Sequence, residues 1–436
     1  MNTNVVNVGI IGFGTVGTGT AGILLRNRQL LRERTGIDIR LAKIADLDIT
    51  RDRGLKVPKG VLTKNADELI RDPEIRVIVE LVGGTTFAKD VILRALAAKK
   101  HVVTANKALL ANYGGEIFRA AAKNGVEVGF EASVAGGIPI IKVMREGLIA
   151  NRIKAVYGII NGTTNYILTK MTNEHAEFSD VLKEAQRLGY AEADPTYDIE
   201  GIDSAHKLAI LATLAYGRQF TVRDVYTQGI SWISPLDIEF ARELGYTLKL
   251  LGITKESDGK VELRVHPTMI PQEYLISKVE GVFNAVFVEG DAVGSTLYYG
   301  RGAGDYPTGS AVVSDIADIA RNIVSGSVGR TSPAAAPARQ VPLRRMKDVM
   351  SMYYFRFSAI DKPGVLSRIS GILGKRNISI ASVIQKDRMQ GKAVPLVVLT
   401  HRARERDVDA AMKDIRKLAV IIGKPVVIRV EGRETR

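Results

Sequence analysis

A glycine-rich turn directly after a short apolar run is the feature of this sequence that most restricts its fold. Residues 5–11, VVNVGII, are followed at once by GFGTVG and then by the helical pattern TGTAGILLRNRQLL. Gly12 permits a tight turn, Gly14 lets the backbone approach a pyrophosphate, and Gly17 allows the helix to pack closely on the strand. The helix N-terminus also attracts phosphate charge. The sequence therefore predicts a Rossmann-type, doubly wound parallel sheet at the N-terminus.

The residues around this turn are the predicted cofactor contacts. A second apolar run, IRLAKIAD, ends in Asp46, whose carboxylate can bind the ribose hydroxyls of an adenosine and disfavour a 2′-phosphate. This favours NAD, but Arg51 and Arg53 follow in the same loop and could meet the phosphate of NADP, so both cofactors stay open. The predicted contacts of the turn are Gly12, Phe13, Gly14, Thr15, Val16 and Gly17.

Three more apolar runs alternate with helical patterns further along the chain. They are VIVELVGG (77–84), HVVTANK (101–107) and VEVGFEA (126–132). Ligands of parallel sheets bind at the carboxyl ends of the strands. We therefore expect the residues that follow these strands to form a second set facing the cofactor. For Lys107, the alternative is a charged residue at the start of a helix that binds no ligand. This set is Gly83, Gly84, Thr85, Asn106 and Lys107.

The segment 189–207, GYAEADPTYDIEGIDSAHK, concentrates acidic residues around one lysine. From Gly201 onward the apolar spacing predicts a helix, so Asp203 and Lys207 share one face. The preceding EADPTYD contains Pro195, and a loop is predicted there that carries Glu192, Asp194 and Asp198. The alternative interpretation is a solvated acidic loop with an ordinary i,i+4 salt bridge.

Composition limits the class of protein. The chain has 436 residues, 46% of them hydrophobic, and no cysteine, which excludes disulfides, thiolate catalysis and cysteine-bound metals. The N-terminus enters a strand without a signal peptide, and no apolar run is long enough to span a membrane. These features predict a cytoplasmic globular protein without membrane contact.

The excess positive charge is confined to the C-terminal quarter. Lys plus Arg and Asp plus Glu number 38 and 38 in residues 1–325, but 23 and 9 in residues 326–436. Apart from Tyr353, Tyr354 and Phe355 in one strand, aromatic residues do not interleave with the basic ones as a nucleic-acid surface requires, so no nucleic-acid partner is expected. The tail pattern is βαββαβ, a ferredoxin-like arrangement. The predicted domains are a dinucleotide-binding domain (1–132, completed by a helix at 308–325), an α+β substrate-binding and dimerisation domain (133–307), a linker (326–348) and a regulatory domain (349–436).

Several segments together resemble the homoserine dehydrogenases. They are TANK, ASVAGGIP, GIINGTTNYI and the block from Ala185 to Lys207, and the likeness covers residues 5–325. It implies NAD(P)-dependent interconversion of L-aspartate 4-semialdehyde and L-homoserine, a step toward threonine, methionine and isoleucine. No aspartokinase region is present, so the monofunctional type is implied.

The resemblance also implies roles for individual residues. Lys207 matches the proton donor, and Lys107 lies close to the reacting oxygen. Glu192 and Asp203 match carboxylates that bind the substrate, with Asp198 in the same polar network, whereas His206 is outside the family pattern. Further positions match cofactor contacts (Gly189 and Gly304) and a sodium site formed largely by backbone carbonyls (Glu131, Val134, Gly136 and Ile138).

The turn DKPG, Asp361 to Gly364, followed by VLSRISGIL, resembles the amino-acid-binding ACT module. Pro363 is predicted to start a helix whose free amides can bind a carboxylate. The resemblance implies threonine as the effector; a purely dimerising module is the alternative. A homodimer or homotetramer is expected.

Two other functions stay compatible with the sequence. One is a dehydrogenase of another amino-acid semialdehyde or hydroxy acid. The other is a ligand-sensing or nucleic-acid-binding protein that uses the basic tail and carries an inactive dehydrogenase body.

Overall fold

The computed structural model describes residues 4–330, 341–386 and 391–432. Residues 331–340 of the predicted linker therefore lie outside the described residues. The described residues fall into two compact units: the first within Met1–Gly162, Asp203–Val225 and Val282–Val341, the second within Thr163–Ile202, Tyr226–Gly281 and Pro342–Arg436. Across the described ranges, no helix is both long and apolar enough to cross a membrane. The predicted domain boundaries stay predictions.

The N-terminal part of the first unit is a parallel sheet flanked by helices, as predicted. The sheet has six strands in the order β3-β2-β1-β4-β5-β6, and the order reverses between β1 and β4. Its strands are β1 (Asn4–Ile11), β2 (Ile37–Ala45), β3 (Leu62–Thr63), β4 (Ile75–Glu80), β5 (His101–Thr104) and β6 (Val128–Gly129). Its helices are α1 (Thr15–Arg26), α2 (Arg28–Thr35), α3 (Ala66–Arg71), α4 (Thr86–Ala97) and α5 (Lys107–Asn124).

The last strand of this sheet is shorter than predicted. The sequence predicted extended chain over 126–132, but a 3-10 turn forms at Glu131–Ser133 instead. The backbone N–H of Glu131 donates to the buried carboxylate of Asp315 at 2.8 Å, which draws the chain away from the sheet. A Cβ on Gly129 would lie only 2.7 Å from Cβ of Asp315, so this approach requires glycine.

The middle of the chain contains both helices and strands. The helices are α6 (Ile140–Lys142), α7 (Gly162–Glu174), α8 (Phe178–Arg187), α9 (Thr196–Ile199), α10 (Ile202–Tyr216), α11 (Pro235–Glu243) and α12 (Asp305–Ser325). The strands are β7 (Ile153–Ile159), β8 (Tyr226–Thr227), β9 (Tyr246–Ser257), β10 (Lys260–Pro271), β11 (Phe283–Gly290) and β12 (Gly294–Arg301). The one-turn helix α9 corrects the prediction of a loop around Asp198.

Within the first unit, β11 pairs antiparallel with β7 and β12. Helix α12 packs on the nucleotide-binding sheet: its Val312 and Ile316 share a core cluster with Val8 and Ile10 of β1. A Cβ on Gly19 of α1 would lie 2.3 Å from the carbonyl oxygen of Asp305, so the two helices meet at backbone distance. Helix α12 thus contributes to the hydrophobic core of this sheet.

The C-terminal elements belong to the second unit and form the predicted βαββαβ order. They are β13 (Met350–Ile360), α13 (Val365–Lys375), β14 (Ile380–Ile384), β15 (Ala393–Thr400), a two-residue strand β16 (Ala403–Arg404), α14 (Glu405–Ile415) and β17 (Ile421–Val430). Strand β17 pairs antiparallel with β13 and also parallel with β10, where Thr268 lies opposite Arg429. Helix α13 begins at Val365, not at Pro363, because Gly364 takes a left-handed conformation at its N-cap.

Candidate active site

The glycines of the N-terminal turn differ in what their missing side chains would meet. A Cβ on Gly12 would lie 2.7 Å from the carbonyl oxygen of Leu81, and one on Gly17 would lie 2.1 Å from that of Gly12. A Cβ on Gly14, in contrast, would meet nothing within 4 Å. Packing therefore explains Gly12 and Gly17, whereas the space beside Gly14 suits a ligand such as a pyrophosphate.

Helix α1 begins beside this space. It starts at Thr15, followed by Val16, and no side chain caps its first turn. Uncapped backbone N–H groups at a helix start attract anionic groups, and the helix dipole adds to this attraction. The turn therefore fits the phosphates of a dinucleotide.

Asp46 connects the end of β2 to the glycine turn. One carboxylate oxygen accepts the backbone N–H of Phe13 at 2.6 Å, and the other accepts the N–H of Asp48 at 2.9 Å. Arg53 donates to the carbonyl of Phe13 at 2.5 Å, lies over its ring and forms an ion pair with Asp46 at 3.4 Å. Asp46 and Arg53 are thus in one cluster. Arg51 joins it through its backbone: its carbonyl accepts from Arg53 and its N–H donates to Asp48.

Glu80, the last residue of β4, is a buried carboxylate that sequence reasoning missed. It accepts the backbone N–H of Val82 at 2.8 Å and of Gly83 at 3.3 Å, and the hydroxyl of Thr104 at 2.7 Å. Burial raises the pKa of Glu80, although these hydrogen bonds oppose the shift. The sequence signal for Glu80 was an acidic residue at the end of an apolar strand. Glu80 fixes the turn before Thr85, which stands at the N-cap of α4.

The loops after β4 and β5 are also joined to each other. Asn106 donates from its side chain to the carbonyl of Gly84 at 2.6 Å and caps helix α5 by accepting the N–H of Leu109 at 3.0 Å. Lys107 is the first residue of that helix. The cap therefore sets where the Lys107 side chain leaves the backbone.

The centre of the site is a carboxylate shared by two lysines. Asp203 Oδ2 lies 2.7 Å from Nζ of Lys207, one helical turn along α10, and Oδ1 lies 2.8 Å from Nζ of Lys107. The side chain of Asp203 is 5% exposed and that of Lys207 is 11% exposed, whereas that of Lys107 is 39% exposed. Burial alone would raise the pKa of Asp203, but Lys207 and Lys107 outweigh burial and hold it well below its usual range.

The end of β7 supplies the remaining contacts of this cluster. Lys207 Nζ donates to the carbonyl of Ile160 at 2.7 Å, and the side chain of Asn161 donates to Asp203 Oδ2 at 2.9 Å. Asn161 is buried, and the sequence interpretation did not single it out, although it lies in the quoted segment GIINGTTNYI. Its position directly after a strand was the available signal. The cluster therefore fixes both amines through one anion.

Three predicted contacts of substrate or cofactor lie in the second unit. The side chain of Glu192 is exposed, and its carbonyl accepts a hydrogen bond from Gln186 at 3.1 Å. Asp198 accepts the hydroxyl of Thr163 at 3.1 Å. Gly189 has a φ of +76° just after α8, so a left-handed helix end accounts for this glycine without a ligand.

Gly304 and His206 lie in the first unit. Gly304 has a φ of +125° and forms the N-cap of α12. His206 is buried within α10.

The predicted sodium segment is a tight buried turn. Ala135 and Gly136 both have left-handed φ angles, and a Cβ on Gly136 would lie 2.6 Å from the carbonyl oxygen of Gly302. Both carboxylate oxygens of Glu131 accept backbone N–H groups, from Ile141 at 2.8 Å and Lys142 at 2.9 Å. In the described part of the chain, no three His, Asp or Glu side chains group as a metal site. The oxygen atoms there that suit an ion are mainly backbone carbonyls, such as those of Val134 and Ile138, and the Ile138 carbonyl also accepts the N–H of Ile140 at 2.7 Å.

The cluster suits the reduction of a carbonyl group. An oxygen that gains negative charge as hydride reaches its carbon needs a proton donor and a nearby cation. Lys207 and Lys107 supply ammonium groups, and Asp203 holds them within one polar cluster. The turn at Gly14 is suited to the cofactor that would carry the hydride.

Comparison with known families agrees with this chemistry. The homoserine dehydrogenase model matches residues 139–317, the model of the homoserine dehydrogenase NAD-binding domain matches residues 12–131, and the ACT domain model matches residues 353–420.

Individual relatives cover most of the chain or nearly all of it. A homoserine dehydrogenase of Neisseria gonorrhoeae is 47% identical over 430 residues, which are 98% of this chain and 99% of the relative. The crystal structure of a homoserine dehydrogenase from Thiobacillus denitrificans has a TM-score of 0.91 at 47% identity and covers 98% of this chain and 99% of that chain. A hyperthermophilic archaeal homoserine dehydrogenase in complex with NADPH has a TM-score of 0.61 at 28% identity, covering 72% of this chain and 96% of that chain.

Proposed function

Because the chain belongs to the homoserine dehydrogenase family, we propose that it interconverts L-homoserine and L-aspartate 4-semialdehyde at the cluster of Lys107, Asp203 and Lys207. It is an oxidoreductase that acts on a CH–OH group and uses a nicotinamide cofactor. The observation that carries the proposal is the shared carboxylate: Asp203 lies within 2.8 Å of both amines.

Lys207 is the proposed proton donor in the direction of aldehyde reduction. The nicotinamide cofactor, when bound, supplies the hydride. The Lys207 ammonium gives its proton to the carbonyl oxygen as that oxygen becomes an alkoxide, and the ammonium of Lys107 stabilises the developing charge. In homoserine oxidation, the neutral amine of Lys207 would take the hydroxyl proton while the hydride leaves the same carbon for the cofactor. Its hydrogen bond to the Ile160 carbonyl aims the amine and limits its motion.

Carboxylates are proposed to bind the α-ammonium group of the substrate. Glu192 is exposed and able to accept an ammonium donor, and Asp203 is the buried anion of the cluster. Asp198 is proposed to act through the polar network that includes Thr163. These roles rest on the family resemblance together with the charges of the residues.

For the cofactor, we propose a preference for NAD over NADP. A 2′-phosphate near Asp46 would meet a carboxylate that already accepts two backbone N–H groups. Arg53 opposes this preference, but its charge is partly neutralised by the ion pair with Asp46. The archaeal relative was solved in complex with NADPH. The cofactor preference of this chain is tested separately, by its own kinetics.

A sodium ion is proposed beside Glu131 on the basis of the resemblance. The buried turn at 134–138 offers carbonyl oxygens, which suit a hard cation. The expected result is a higher melting temperature in NaCl than in choline chloride at equal ionic strength. Equal melting temperatures in the two salts would argue against the ion.

Feedback regulation by threonine is proposed for the ACT domain. Asp361 Oδ2 is buried without a hydrogen-bond partner among the described residues, which leaves an acceptor for an ammonium or hydroxyl group. Helix α13 starts beside it with no side-chain cap, so its free N–H groups can bind a carboxylate. The proposed place of the enzyme is therefore the biosynthesis of threonine, methionine and isoleucine.

We also propose that the enzyme is a homodimer or homotetramer. In the first unit, β12 pairs with β11 and exposes Tyr299, whose ring stacks on Phe283. An exposed strand of this kind can pair with a second copy. Light scattering after size-exclusion chromatography measures the mass directly. The cytoplasmic location stays a prediction.

One steady-state assay tests the main proposal. Homoserine oxidation is measured with NAD and NADP in parallel, with and without threonine, and a hydroxy acid of the same length without the amino group serves as the competing substrate. The proposal expects turnover of homoserine, a much lower rate without the amino group, and inhibition by threonine. Equal rates with and without the amino group would contradict the assignment of the substrate carboxylates.

A further inference from the structure

A basic cavity lies in the second unit, away from every residue assigned above. It has a volume of about 520 Å³. Its walls come from the start of β10, the segment before β13 and the start of α14. The lining residues are Lys260, Pro342, Leu343, Arg344, Arg345, Asp348 and Arg404. Four basic side chains therefore surround the space, against one carboxylate.

Arg344 is the most firmly held of the four. Its Nη2 donates to the carbonyl of Ser257 at 2.8 Å and contacts Asp258 at 3.1 Å. Its backbone is hydrogen-bonded to β10: the Arg344 N–H donates to the carbonyl of Val261 at 2.7 Å. The Nε of Arg344 is nevertheless buried without a hydrogen-bond partner in the described ranges. A buried donor of a charged group without a partner costs free energy unless something supplies an acceptor.

The other charges of the cavity are only partly neutralised. Asp348 is 3.1 Å from Arg345 and 3.8 Å from Arg406. Lys260 and Arg404 have no ion-pair partner within the described part of the chain. The cavity thus keeps positive charge that an anion could neutralise.

We propose that this cavity binds a small phosphate-bearing anion. Guanidinium groups match the oxygens of a phosphate in geometry and bind it through charge-assisted hydrogen bonds. A volume of about 520 Å³ falls in the range of small-molecule sites. No aromatic residue lines the cavity, so it lacks the stacking surface that single-stranded nucleic acid requires.

The site is separate from the proposed threonine site. Arg404 pairs with Met350 at the first residue of β13, whereas Asp361 follows the last residue of that strand. A strand of this length extends about 33 Å. A bound anion would join the β9–β10 hairpin to the ACT domain, since Lys260 belongs to the first and Arg404 to the second. The inference does not depend on the proposed activity or on threonine.

The test is isothermal titration of the full-length enzyme with pyrophosphate. Saturating NAD is present throughout, because pyrophosphate could otherwise bind at the Gly14 turn. The doubly substituted Lys260→Gln/Arg404→Gln protein is compared with Lys347→Gln, which changes an exposed lysine outside the cavity. We expect pyrophosphate to bind the unmodified enzyme and the control equally, and the double variant at least about tenfold more weakly.

Each other outcome overturns the proposal. No binding to the unmodified enzyme, or equal binding by all three proteins, would show that the cavity is not a phosphate site. Citrate binding more tightly than pyrophosphate at equal ionic strength would assign it to carboxylates. An oligothymidylate that binds more tightly than pyrophosphate and loses affinity in the double variant would assign it to nucleic acid. If the double variant fails to fold by circular dichroism, the two single variants are titrated instead.

Discussion

The amine of Lys107 lies 2.8 Å from Oδ1 of Asp203, which joins the first residue of α5 to the first turn of α10. The remaining oxygen of the same carboxylate holds Lys207 at 2.7 Å. Two lysines so close together would repel each other without an anion between them. Asp203 is therefore as important for the position of the amines as for any direct contact with substrate.

Replacing Lys207 by methionine removes the proposed proton donor and keeps the volume of the side chain. We expect turnover to fall by roughly 10²–10⁴-fold with the fold intact. Steady-state kinetics and circular dichroism measure the two quantities. The control is Lys123→Met near the end of α5, which should behave like the unmodified enzyme. Near-normal turnover of Lys207→Met would refute the assignment.

Asp203→Asn should lower activity and make stability less dependent on pH in the acidic range. The two amines lose their shared counter-charge, and we expect kcat/KM for homoserine to fall on the order of a hundredfold. The pKa of Asp203 is lowered in the folded state, so its stabilising effect is present above its unfolded value of 3.8 and disappears as pH falls. The variant should thus lose less stability on acidification than the unmodified enzyme. The control is Asp180→Asn, at an exposed position. If Asp203→Asn lost as much stability on acidification as the unmodified enzyme, this would contradict the ion-pair model.

Asp46→Asn tests the cofactor preference. It removes the negative charge near the ribose while leaving an oxygen that can accept the N–H of Phe13. We expect the ratio of kcat/KM with NADP to that with NAD to rise about tenfold, because repulsion of a 2′-phosphate is lost. An unchanged ratio would mean that Asp46 does not discriminate between the cofactors.

Asp315 should make stability depend on pH between its unfolded and folded pKa values. Burial, together with the nearby carboxylate of Glu131, raises its pKa from 3.8 to about 7. A raised pKa means that the stabilising effect is fully present below the unfolded value and is lost as pH rises through the folded value. The melting temperature should fall between about pH 4 and pH 7, and this fall should be smaller in Asp315→Asn than in the exposed control Asp90→Asn. An equal fall in the two variants would exclude Asp315 as the cause.

Asp361→Asn tests the effector site. The substitution removes a negative charge from the proposed contact of the threonine ammonium group. The threonine concentration for half inhibition, measured relative to the uninhibited rate of each protein, should rise at least about tenfold. Asp407→Asn on α14 is the control in the same domain. An unchanged threonine response in Asp361→Asn would place the effector elsewhere.

Local patterns of the chain predicted the nucleotide-binding sheet and the βαββαβ order of the tail, because strand, turn and helix signals lie close together in sequence. The i,i+4 pair of Asp203 and Lys207 was predictable for the same reason. One wrong prediction reflects a distant contact, and another reflects the local backbone conformation of a glycine. The strand at 126–132 ends early because Asp315 binds the N–H of Glu131. Helix α13 starts after Pro363 because Gly364 adopts a left-handed turn.

The sequence alone determined the family resemblance, the glycine turn and the helix that carries Asp203 beside Lys207, since each depends on residues within a few positions of one another. Only the tertiary structure decided that Lys107 shares the same carboxylate and that Asn161 and the Ile160 carbonyl complete the cluster. It also decided that Glu80 fixes the loop before Thr85 and that Arg344 lines a basic cavity. These contacts join residues far apart in the chain, and the packing of sheets and helices brings them together.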